Sequence, residues 1–418
     1  MNFLSKHIHK NISRTGLEIF KYIGPGFLVT IGFIDPGNWA ANIACGSQFG
    51  YSLLWVVTLS TVMLTFLQHN AAHLGIATGL CLSEASTKYF KKPISRCFLI
   101  TGLLASISTI TAQVLGTSIG LNMLFGIPLL FGAIITIIAV IVFIFTNSYR
   151  SIEKHIISFV SIIGLGFLYE LTLSDVQWNT ALCNIVLPSM PIGSIVIIMS
   201  VLGAVVMPHN IFLHSEVIQS RQWQLKNKSI IKKQLKFEFT DTIIAMIVGW
   251  AINCAIIILA AATFFSNNIK VTELSQAEAT LRPLLGNSAA TIFAVTLIFA
   301  GFSAAITVSM ASGSIFAGMY NEPLDIKDNH SRIGILIGLL GAFVSVLFIN
   351  DLFIGIIYSQ TILSIQLPLT IFALIFLTSS KKVMGEYKNT VLNKTLLWSI
   401  ALIVVIFNFI LFFQFIFN

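Results

Sequence analysis

Charge is what this 418-residue chain has least of: Asp and Glu number 16, Lys and Arg 24, and together they make 10% of the sequence. A soluble domain carries roughly 25%, so a water-soluble globule is excluded because its surface could not be covered. Cysteine is sparse as well. Cys45, Cys81, Cys97, Cys183 and Cys254 form no CxxC pair and no zinc spacing; they read as small core residues. No apolar run precedes residue 22, so a cleaved signal peptide is not expected. HExxH is missing, as are paired mid-membrane aspartates. Neither an enzyme nor a cofactor is therefore expected.

What fills the chain instead is apolar. Hydrophobic types reach 56% and mean hydropathy is +0.90. The runs are continuous, whereas a membrane barrel alternates polar and apolar residues. At ~20 residues per spanning helix, the hydrophobic content supplies about eleven spans. They fall near 22–46, 50–77, 94–123, 128–147, 155–174, 193–219, 238–265, 287–319, 332–350, 352–378 and 395–416. The expected fold class is an all-α polytopic membrane protein, multi-pass in a bacterial inner (plasma) membrane.

The basic residues sort by side. All but Lys270 and Arg282 lie on the N-terminal arm or on the second, fourth, sixth, eighth and tenth connectors. The positive-inside rule then puts the N-terminus in the cytoplasm and the C-terminus outside. The same asymmetry accounts for the net charge of +8 as charge facing an anionic leaflet, and a nucleic-acid partner loses its support. The basic stretch 221–237 reads as a cytoplasmic loop or interfacial helix. No obligate protein partner is inferred; the lipid bilayer is the surrounding.

Two spans carry the same interruption. Span 1 contains Asp35-Pro36-Gly37-Asn38 and span 6 contains Met207-Pro208-His209-Asn210. Proline removes a helical N–H and clashes with the preceding turn, and Gly37 loosens span 1 further. In hydrocarbon, broken helices survive where they line a cavity or grip a ligand. A matched pair, each first in a block of five spans, is the mark of an inverted-repeat secondary transporter. The expected organisation is a cytoplasmic arm 1–21, a first repeat 22–174, a second, inverted repeat 193–378, and an added helix 395–416.

Asp35 is the acidic residue placed near mid-membrane in a broken helix. An unpaired carboxylate there costs at least ~2.5 kcal/mol, and no Lys or Arg lies in a span centre to pair with it. A cation is its natural partner. Asn38 adds a side-chain oxygen one turn on, and unwound backbone near Ala204 adds another. The thioether of Met207 is a soft ligand, wasted on Mg²⁺ or Ca²⁺ and useful to Mn²⁺, Fe²⁺ and softer ions. Gln360 and Gln366 in span 10 are uncharged polar groups at depth, either available to complete the shell. His209 and His214 titrate near neutrality and, with Asp35, are the proton-pathway candidates. His69 and His73 stand four apart on span 2 without a carboxylate and read as structural.

These residues resemble the Nramp (natural resistance-associated macrophage protein) family of divalent metal transporters. GPGFLVTIGFIDPGNWAANI and AVVMPHNIFLHS look like its two signature motifs, and LGIATG, LNMLFGIPLL, RPLLGNSAATIFA and SQTILSIQLP look familial. The resemblance implies a LeuT-type fold and proton-linked import of Mn²⁺ or Fe²⁺. It also implies metal ligands at Asp35, Asn38, the Ala204 carbonyl and Met207, with Gln360 joining as the site closes. Span 3 departs from the pattern. Where the family carries acids that conduct protons, STITAQVLG has Ile110 and Gln113, and Lys327 and Asp328 stand where a basic pair is expected before span 9. The expected function is metal import by alternating access, driven by membrane potential, with proton coupling weakened or rerouted. Two rivals of other kinds are weaker. A sodium-coupled amino-acid carrier would have its substrate carboxylate repelled by Asp35. A transporter-like metal sensor needs a soluble output domain that this sequence is not expected to hold.

Overall fold

The computed structural model describes residues 25–221, 228–271, 273–349 and 352–417. The described residues are helical throughout, joined by turns and short loops. The first apolar run is split into α1 (Pro25–Thr30), a 3₁₀ turn (Ile31–Phe33) and α2 (Pro36–Phe49). Then come α3 (Leu54–Thr78), α4 (Leu82–Tyr89), α5 (Lys92–Phe125), α6 (Leu129–Thr146), α7 (Tyr149–Thr172) and α8 (Trp178–Asn184). The sixth run is split into α9 (Ile195–Val205) and α10 (Pro208–Val217). After it follow α11 (Lys228–Thr263), α12 (Leu274–Leu285), α13 (Asn287–Gly318), α14 (Asn329–Phe348), α15 (Leu352–Ser379), α16 (Lys381–Met384) and α17 (Val391–Phe417).

Every expected apolar run therefore coincides with helix, and both expected breaks are present. Among the described residues, eight helices can cross a membrane by length and composition, or up to nine if a pair bent by 62° after Ser379 counts as one. The N-terminal arm lies outside the described residues. The stretch 221–237, expected as a loop or interfacial helix, is helical from Lys228, where α11 begins and runs unbroken into the seventh apolar run. Short helices α8 and α12 stand in the connectors before α9 and α13.

Burial separates scaffold from periphery. Two-thirds of the apolar windows of α5 and α13 are buried, against one-third in α6 and α14, whose Ile135, Ile138, Leu340 and Val344 face outward. Outward apolar side chains suit lipid. The centre is built on small residues. A side chain at Gly301 of α13 would collide with Gln113 and Thr117 of α5, and one at Gly116 would collide with Pro36. Gly116 thus lets the break in the first span lie directly against α5. On its other side the first span is held by α11: Gly26 N–H donates to the buried Asp241 Oδ2 (2.8 Å), and Asn253 Nδ2 donates to the Phe33 carbonyl (3.1 Å).

Three cysteines, Cys45, Cys81 and Cys254, are buried as expected of core residues; Cys97 and Cys183 are exposed. Helical phase decides the Cys97 case, since apolar neighbours in sequence do not make an inward face.

Candidate metal-binding site

Asp35 is the N-cap of α2. Its backbone is extended (φ −90°, ψ 165°), and Pro36 occupies the first helical turn. Proline pushes the preceding residue out of the α region and is itself favoured at a helix start, so Asp-Pro writes a stop and a restart in two residues. The carboxylate closes the new helix by accepting from Asn38 N–H (2.7 Å). Met207 is the equivalent residue in the sixth run, extended (φ −95°, ψ 129°) ahead of Pro208, but its side chain makes no cap.

The two breaks meet. Asn38 Nδ2 donates to Asp35 Oδ1 (3.0 Å) and to the Ala204 carbonyl (2.9 Å), tying the first break to the last turn of α9. Gln360 of α15 lies against Gly37, where any side chain would collide with it. Asp35, Asn38, Ala204 and Met207 are all completely buried. The Met207 side chain packs with Ala105 and Leu363, three residues beyond Ala204. Of the expected ligands, hydrogen bonds join Asp35, Asn38 and Ala204; Gln360 touches the same turn, and Met207 borders it. Gln366 is drawn elsewhere, accepting from Thr370 Oγ1 (2.8 Å).

One partner escaped the sequence reading. Gln113 Nε2 donates to Asp35 Oδ2. Gln113 had been singled out only as a missing acid; that it touches Asp35 depends on the crossing of α5 at Gly116, which spacing does not reveal. Two amide oxygens here, Asn38 Oδ1 and Gln113 Oε1, are buried with no hydrogen-bond partner among the described residues. Buried acceptors are almost always paired. Orphaned oxygens beside a carboxylate and a backbone carbonyl form a set of hard donors that a cation satisfies and a hydrogen-bond acceptor does not.

The proton-pathway candidates are more dispersed. Asp35 is at the centre. His209 Nδ1 lies 3.5 Å from Thr109 Oγ1, and His214 Nδ1 lies 3.0 Å from Gln68 Oε1. The Nε2 atoms of both have no partner among the described residues. His69, expected to lack a carboxylate, pairs with Glu238 at 2.8 Å; α11 supplies that acid from 169 residues away, beyond the reach of a local motif. Asp328 caps α14 by accepting from His330 N–H (2.9 Å).

Comparison with known proteins supplies the family. The family model described as natural resistance-associated macrophage protein-like matches residues 26–414. A divalent metal cation transporter MntH of Listeria monocytogenes is 36% identical over 408 residues, 95% of this chain and 90% of the relative. One from Nostoc sp. is 36% identical over 403 residues, covering 94% and 90%. Among solved structures, the manganese transporter of Eremococcus coleocola superposes with a TM-score of 0.84 at 27% identity, covering 96% of this chain and 88% of that one. A nucleobase-cation-symport-1 transporter shares the fold alone, with a TM-score of 0.61 at 17% identity over 91% and 90% of the two chains.

Proposed function

This chain belongs to the Nramp family, and from that premise we propose that it imports divalent transition-metal ions, manganese and iron foremost, with the membrane potential as its main driving force. It is a multi-pass membrane transporter of metal ions with the LeuT-type helical fold. The bound ion is cargo. Its ligands are the Asp35 carboxylate, the Asn38 side-chain oxygen, the Ala204 carbonyl and the Met207 thioether, with Gln360 closing over Gly37. Relatives named for divalent metal cations and for manganese support this choice.

The observation that carries the reading is the junction of two broken helices at a buried carboxylate whose neighbours are orphaned amide oxygens. The half-helices add to it. Carbonyls at the ends of α1 and α9 are negative poles directed at the gap, and the Asp35 charge outweighs the opposing N-terminus of α2.

A divalent ion crossing 100 mV gains roughly 4–5 kcal/mol, which supports about thousandfold accumulation. The potential therefore suffices without a proton. Gln113 supports the same conclusion: an amide in contact with Asp35 neither gives up nor takes a proton near neutral pH. The N-terminus faces the cytoplasm, the C-terminus the outside, and 22–174 and 193–378 act as inverted halves that rock about the site.

Uptake into proteoliposomes under an imposed potential, with competing ions and an internal pH dye, tests this. Mn²⁺ or Fe²⁺ should accumulate with little accompanying acidification. A fixed ratio near one proton per metal would overturn the potential-driven version, and absence of any divalent uptake would overturn the whole.

A further inference from the structure

Glu170 lies in the last turn of α7 and is completely buried. Neither of its carboxylate oxygens has a hydrogen-bond partner among the described residues. Its position is set by Phe167, one turn earlier on the same face. The Phe167 ring stands edge-on to Trp39 with centroids 4.7 Å apart, and Trp39 in turn packs on Phe293 at 5.4 Å. Trp39 follows Asn38 directly in α2. α7 and α2 both run outward from the cytoplasmic side in the proposed orientation. The three rings therefore cover the metal site toward the outside, and Glu170 sits just beyond them.

Among the described residues no ion pair reaches it. The elements packed most extensively against α7 are α13, α11 and α1. α13 and α1 contain no titratable residue; α11 has Cys254 in its outer half and keeps its charged groups, Lys228 to Asp241, at the other end. α2, reached through Trp39, offers only Cys45. α7 itself carries Tyr149, Arg150, Glu153, Lys154 and His155 in its first turns and Tyr169 beside Glu170. Tyr169 is turned to Ser288 Oγ, to which its hydroxyl donates (3.4 Å). An anion here would bear the cost of an uncompensated buried charge. A metal ion would need several further ligands, and no His, Cys, Asp or Glu among the described residues groups with Glu170. A proton needs one oxygen lone pair and nothing else.

We propose that Glu170 is a proton-binding site on the outer side of the metal site, occupied whenever the outer route is closed, which makes import acid-stimulated without carrying a proton across. The inference rests on the metal-import reading, with the outer route opening between α2 and α7. On opening, water reaches the carboxyl, and its proton passes to that water and the outside. On closing, the carboxyl takes a proton back from the same side. The exchange balances, and nothing is delivered inward.

The test is manganese uptake into proteoliposomes with potential and internal pH fixed and external pH varied. Wild-type rate should fall as external pH rises, approaching roughly tenfold per pH unit on the alkaline limb, the slope of a single bound proton. Glu170→Gln, neutral at every pH, should flatten that profile while an internal pH dye stays silent in both proteins. A Glu170→Gln profile identical to wild type overturns the proposal, as does metal-driven internal acidification that the substitution abolishes. Calorimetric Mn²⁺ binding to the purified protein separates the two readings: lost binding in wild type fails the metal site, whereas intact binding with a pH-independent wild-type rate fails Glu170 alone. Should Glu170→Gln not fold, infrared difference spectra of wild type decide, since no carboxylic C=O band that titrates with external pH overturns the assignment.

Discussion

Ahead of the proline in the first span stands Asp35; ahead of the proline in the sixth stands Met207. Both residues are extended, both open a half-helix, and both are fully buried. The first is bound by Asn38 and Gln113, and the second caps nothing and packs among Ala105 and Leu363. One backbone plan thus carries two side-chain chemistries. On the proposed reading, the hard, charged side would supply attraction common to all divalent ions, and the soft side would sort among them. The residue before each proline would then decide what each break contributes.

Substitutions that treat the two breaks differently test this division. The largest effect is expected from Asp35→Ala, which removes the charge: uptake of every divalent ion should fall by at least ~100-fold, about 2.7 kcal/mol, in a radiotracer assay. Residual uptake near wild type would show that the first break is not the attractive half. Met207→Ala should preserve Mn²⁺ transport to within about tenfold while Ca²⁺ and Mg²⁺ begin to compete. Unchanged ion competition would remove the sorting role from the second break. Asn38→Ala should weaken Mn²⁺ affinity by roughly tenfold, the ~1.4 kcal/mol of one good contact, measured calorimetrically; an effect as large as that of Asp35→Ala would make Asn38 an equal partner. The smallest is Thr109→Val. It removes a 3.5 Å contact to His209, at the limit of hydrogen bonding, and should leave uptake within about twofold. A larger loss would enlist His209 in the cycle.

The sequence reading reached some of this and missed the rest for physical reasons. Helix positions were legible because apolar runs of spanning length leave no alternative in lipid. The breaks were legible because Asp-Pro and Met-Pro act locally on the backbone. Contacts between distant elements were not. Gln113 against Asp35, Glu238 against His69 and Asp241 against Gly26 join residues far apart in the chain. Each depends on where one helix crosses another, and that is set by glycines such as Gly116, whose meaning appears only in the packed bundle. The burial of Glu170 was not legible either, because position along a helix says nothing about which face a side chain occupies.

The Asn38 and Gln113 amides that feed hydrogens to Asp35 end in oxygens with nothing to hold. Each amide is two-ended, and a half-turn of its last torsion would exchange nitrogen for oxygen. On the proposed import reading, the nitrogens would quiet the carboxylate until an ion arrives, and the oxygens would then turn to it. A carrier built this way would return unladen with Asp35 hydrogen-bonded rather than bare, and would need no borrowed proton to do so.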